Sequence, residues 1–176
     1  MKKLIYVISF IFIATNLYSQ NTFRLWHFNA KDGTETAIGE LMIKHNENAE
    51  FKSGGVQIER ISFGDNKWSH RVVAFGELGN FGVADDQKTS QDWQEFRNNR
   101  LKYIVKYGPS YSGRIMLSNG VDPFSKGYFQ LYEGIVYEPE KMMAAHGKAM
   151  DEVWDYEGNA MLFGTYDVGT PGGATH

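Results

Sequence analysis

Two stretches with helical periodicity, each set between stretches that alternate apolar and polar residues, constrain the fold of this chain more than anything else in it. From Thr34 to about Lys52, Ile38, Leu41, Met42, His45 and Ala49 recur at three- and four-residue steps, the stripe of a helix with one face on a core. The Ser-Gly-Gly at 53–55 stops it. A second helix, capped by Ser90, is expected from about Gln91 to Tyr107, with Trp93, Phe96, Arg100 or Leu101, and Ile104 turned inward. TFRLWHF (22–28), VQIERISF (56–63), WSHRVVAFGEL (68–78) and GRIMLSN (113–119) read as strands, the middle two as a hairpin across GDNK. The order is β-α-β-β-α-β, an α+β fold on the split βαβ or ferredoxin-like plan.

The pattern then restarts. ELMIKHNENAEF (40–51) and KMMAAHGKAMDE (141–152) share a Met followed three residues later by His, with acids closing the phrase. FQLYEG (129–134) lines up with FRLWHF, and a helix is expected over 139–155, with Pro139 early in it and Met142, His146, Ala149, Met150 and Val153 on one stripe. NAMLFGTYDV (159–168) matches the strand at 56–63. The expected organisation is a signal peptide (1–20), a first ferredoxin-like unit (21–118), a linker (119–127) and a partial second unit running β-α-β (128–176). A copy that halts before its third strand leaves open edges, which proteins usually cover. A longer gene product explains that better than a half-unit completed by a partner subunit.

The first twenty residues, MKKLIYVISFIFIATNLYSQ, have a two-lysine start, an apolar run from Leu4 to Ala14 and a polar end. This is the plan of a secretory signal, and its ending resembles bacterial ones. The apolar run is shorter than the roughly 20 residues a membrane span needs. The mature chain is therefore expected to be exported, periplasmic or secreted, with no membrane attachment. Its net charge of −3 becomes more acidic once the two signal lysines are removed, which argues against nucleic acid as a partner. With no cysteine, disulfides, thiolate metal sites and cysteine nucleophiles are excluded.

By element order over residues 22–168, a ferredoxin-like unit with a partial copy resembles the dimeric α/β-barrel superfamily, in which two such sheets face each other and close a barrel. That resemblance implies a cavity between the sheets. It implies either a protein that holds a small apolar or aromatic ligand there, or one that is purely structural. The alternative it implies is an enzyme, a small-molecule monooxygenase or heme-dependent enzyme. The fold hosts many functions, so it selects none of them, and it leaves a homo-oligomer open.

The histidines are the main candidates for chemistry. His45 and His146 lie on the stripes of matched helices, where an imidazole is more often bonded into the core than a cofactor ligand. His27 ends the first strand and His70 begins the third, so they can be cross-strand neighbours, with Glu133 and His176 at the matching places of the second copy. These are ligand types that zinc or iron accepts, although nothing in the sequence requires heme or a divalent metal. A register slip of one residue separates His27 from His70. Trp26, Trp93 and Trp154 can stack on a ring-shaped ligand, with core packing the better reading of the last two. Asp85-Asp86 and Asp151-Glu152 are adjacent acids whose side chains diverge, and GTPGGATH lacks the lysine of a phosphate loop.

Overall fold

The computed structural model describes residues 21–63, 67–84, 87–120, 130–152 and 160–176. The signal (1–20), Asp85-Asp86, residues 121–127 of the linker, and Trp154 lie outside the described residues. The elements are β1 (Asn21–Ala30), α1 (Glu35–Asn46), β2 (Gly55–Arg60), β3 (His70–Glu77), α2 (Ser90–Arg100), β4 (Ile104–Ser118), α3 (Pro139–Glu152) and β5 (Leu162–Val168). A short 3₁₀ turn at Pro171–Gly173 follows. The fold is α+β: one five-stranded sheet in the order β2-β3-β1-β4-β5, with every neighbouring pair antiparallel.

α1 packs onto the sheet, against residues of β1, β2 and β3. Ile38 is fully buried against Phe28 and Ala30, with Ile58, Val72, Tyr103 and Ile104 around them. The helix ends at Asn46, short of the expected Lys52. Two residues on, Asn48 adopts a φ of 62°, the left-handed conformation that asparagine tolerates better than most residues. The reversal lets Phe51 bridge to Val83. α2 is capped by Thr89 rather than Ser90. The Thr89 side chain accepts from the Asp92 amide at 3.1 Å while the Asp92 carboxylate accepts from the Thr89 amide at 2.8 Å, a reciprocal capping box.

The largest departure from the sequence reading follows α2. The helix expected to reach Tyr107 stops at Arg100, and residues 104–118 form one long strand. Ile104, Val105 and Tyr107 suit a strand well. Gly108 and Pro109, which read as a break, are absorbed by a register shift: Trp26 pairs with Ser110 but Phe28 pairs with Tyr107. Pro109 has no amide to donate, and it sits at this bulge, before the Ser112–Ser118 stretch that pairs with β5.

β5 extends this same sheet. Arg114 on β4 and Asp167 on β5 tie the two strands with a paired contact, 2.8 Å for each bond. The Phe23 ring lies across the junction: a Cβ on Gly113 would come within 1.8 Å of the Thr165 oxygen and 2.9 Å of Phe23 Cζ. Only glycine fits there. The strand expected at 129–134 is not formed by residues 130–134. Gly134 instead exchanges backbone hydrogen bonds with Thr175 and His176, at 2.9 to 3.2 Å. Among the described residues no helix is long and apolar enough to cross a membrane.

Candidate functional site

α2 is mostly polar, and Phe96 is its one buried residue. It leans on α1 more than on the sheet, so the layer opens beyond the Ile38 core. The opening is a cavity of about 420 Å³ between α1, α2 and the helix-side face of β1, β2 and β3, within the range of small-molecule pockets. Phe28, Ile38 and Met42 form its inner end, Val56, Val72 and Ala74 its floor, and Phe51, Phe81 and Val83 its flank. Trp26, Trp93 and Tyr107 line it while remaining 38%, 39% and 51% exposed, which places them at its open side. Trp93 is thus a cavity wall, where the sequence favoured a core position.

Five of the lining residues are His, Asn, Ser or Arg: His27, His45, Asn46, Ser53 and Arg100. Of these, His27 lies on the strand between Trp26 and Phe28, with its side chain on the other face of the sheet. Ser53 is satisfied, donating to the Asn80 oxygen at 2.7 Å and accepting from the Glu77 amide at 2.8 Å. The Asn46 amide group donates to the Met42 oxygen at 2.9 Å. His45 and Arg100 differ. Their Nε2 and Nε atoms are buried and have no hydrogen-bond partner among the described residues. The His45 ring stacks on Phe96 at 3.9 Å and meets Trp93 edge-on at 4.8 Å. The Arg100 guanidinium lies 5.5 Å from the Phe96 ring centre and 5.7 Å from that of Tyr107. Burial, and secondarily Lys88, lower the His45 pKa, with Asp92 pulling the other way.

The remaining candidates are dispersed. His27 and His70 are not neighbours. Arg71 pairs with His27 and Phe28 with His70, so the register differs by one residue from the one that would join them, and they take opposite faces of the sheet. His70 is buried on the helix side, stacked on Phe28 at 5.2 Å, with Nδ1 2.8 Å from Ser69 Oγ. Burial, with Arg60 adding to it, lowers its pKa. His146 and His176 both rest on Phe163, at 4.8 and 5.3 Å. The Glu133 carboxylate turns away from them and accepts from Tyr166 Oη at 2.5 Å.

His27 and Glu133 do share a region, the face of the sheet that carries no helix. There His27 meets Tyr111 edge-on at 5.5 Å, Tyr111 meets Tyr166 at 5.9 Å, and Tyr166 meets Phe23 at 5.5 Å. Burial and the Glu133 contact push the Tyr166 hydroxyl far above its ordinary range. Burial also lowers the His27 pKa, against the opposing pull of the Pro109 carbonyl. The Arg71 guanidinium ion-pairs with Glu59 on the same face. These contacts tie the strands together. Among the described residues no three His, Cys, Asp or Glu side chains gather as a metal site.

Sequence reasoning left the inner stripe of α2 open between Arg100 and Leu101 and did not single out Arg100 as a site candidate; the structure puts Arg100 on the cavity. A cation at helical spacing from Trp93 and Phe96 was the available signal. Compared with known proteins, the chain matches no family model, no curated protein and no solved structure.

Proposed function

We propose that this is an exported protein that binds a small, mainly apolar or aromatic molecule. The observation that carries the reading is the cavity of about 420 Å³ walled by Trp26, Trp93, Phe96 and aliphatic side chains. Such a wall gains from covering a flat hydrophobic ligand, at roughly 25 cal/mol per Å² of apolar surface removed from water. This cavity lies between helices and sheet, a different place from the inter-sheet space that the barrel resemblance implies. The order β2-β3-β1-β4, with a helix after β1 and another after β3, supports a ferredoxin-like unit for residues 21–118. The strand-rich face without helices leaves the dimeric α/β-barrel reading open, with a second copy as the facing layer.

Titration with neutral N-phenyl-1-naphthylamine, followed by tryptophan quenching, tests the binding reading. Saturable binding is expected, and Val56→Phe, which fills the floor, should weaken it about tenfold or more. No saturation in the unaltered protein defeats the proposal. Export is tested by cell fractionation and N-terminal sequencing, which should find a mature start near Asn21.

The enzyme alternative has one feature in its favour, an imidazole nitrogen without a partner in an aromatic cavity, at His45. A heme added to the protein should then give a Soret shift that His45→Phe abolishes; an identical spectrum in both proteins removes this alternative.

A further inference from the structure

We infer that the ligand carries an anionic oxygen group, a carboxylate or sulfonate, on its flat apolar frame, and that Arg100 and His45 receive it. This rests on the binding reading above and narrows it to acidic aromatic compounds.

The inference starts from an imbalance. A buried donor without an acceptor costs about 1–3 kcal/mol, and folded proteins keep such groups few. Among the described residues only two buried side-chain nitrogens lack a partner, and both line the same cavity. They come from different helices and rest against the same Phe96 ring. Arg100 cannot shed its proton, so its Nε–H can be satisfied only by an acceptor. Its guanidinium is flanked by the Phe96 and Tyr107 rings, and no described carboxylate pairs with it. A cation prepared by aromatic faces and left without a counter-charge is a receptor for one.

The surroundings of His45 point the same way. Lys88 adds positive potential there. Asp92 is the acid that faces it, and its carboxylate is already engaged by the Thr89 amide and hydroxyl, at 2.8 and 2.7 Å. His45 Nε2, when it carries the proton of the neutral ring, donates to a second oxygen of the anion. A carboxylate has two oxygens to offer, and its ring would lie against Trp93 and Trp26 at the open side.

The test compares two ligands of nearly equal shape, 2-naphthoate and neutral 2-naphthamide, by calorimetry and tryptophan quenching. The unaltered protein is expected to bind the naphthoate about tenfold or more tightly than the amide. Arg100→Met should erase that preference, bringing the naphthoate affinity down to that of the amide in the same variant, and His45→Phe should reduce it. Equal affinities in the unaltered protein, or a preference that survives Arg100→Met in a folded variant, overturn the inference and leave the cavity reading standing. Binding of neither compound overturns both. The comparison within the unaltered protein needs no variant to fold.

Discussion

Ile38 and His45 sit two turns apart on one stripe of α1, yet the layer beneath them differs completely. At Ile38, the inner end of the cavity, helix and sheet close on Phe28 and Ala30, and all three side chains are buried. Under His45 they are held apart, and the space is bounded by rings and by two nitrogens without partners. One amphipathic pattern serves both ends. What separates them is the opposing surface: Ile38 packs with Phe28 and Ala30 of β1, whereas α2 brings Trp93, Phe96 and Arg100 toward His45. A helical stripe thus identifies the inward side of an element and leaves open whether anything fills the space it faces.

The sharpest way to break the comparison is truncation at the closed end. Ile38→Ala should cost about 2–5 kcal/mol, read as a lower urea midpoint, because a fully buried side chain packed on Phe28 and Ala30 is lost. Enlargement is the next test. Ala30→Leu overpacks the closed end and should cost about 1–3 kcal/mol. Val56→Phe, directed into the open end, should cost clearly less; equal costs would mean that the open end is filled.

Smaller effects sharpen the picture. His45→Phe keeps the ring and removes a buried orphan nitrogen, so the unliganded protein should gain about 1 kcal/mol in urea unfolding. Thr89→Ala removes the cap that starts α2 and should cost about 1 kcal/mol without altering the closed end. Acid titration gives the last test. His27, His45 and His70 all have pKa values lowered from 6.5 by burial, so protonation favours the unfolded chain. Stability should be full above about pH 6.5 and decline as the pH falls through the folded-state values. His45→Phe should make that decline shallower, seen in urea midpoints measured at successive pH values.

The sequence revealed elements more readily than their relations. The helix starts near Glu35 and Ser90, the strand at His70 and the helix at Pro139 follow from periodicity, caps and turn residues. β4 was half hidden, because Gly108 and Pro109 look like a stop when a bulge is not anticipated. The fate of His27 and His70 was illegible for a different reason. Register is fixed by how two distant strands slide on each other, and one residue of slip exchanges the faces. The Tyr111–Tyr166–Glu133 contacts required knowing that β5 lies beside β4. The stripe allowed Arg100 or Leu101, and that Arg100 Nε is buried without a partner is a property of the assembled fold.

The shift at Gly108 and Pro109 has a wider consequence for how the protein can change. Tyr107 and Tyr111 are four positions apart and in an uninterrupted strand would point the same way. The extra residue resets the alternation, so Tyr107 borders the cavity beside Arg100 while Tyr111 joins His27 on the reverse side. A single backbone irregularity thereby allots one phenol to each surface, and an insertion or deletion at that point would reassign the strand's aromatic rings wholesale, altering both surfaces in one genetic step.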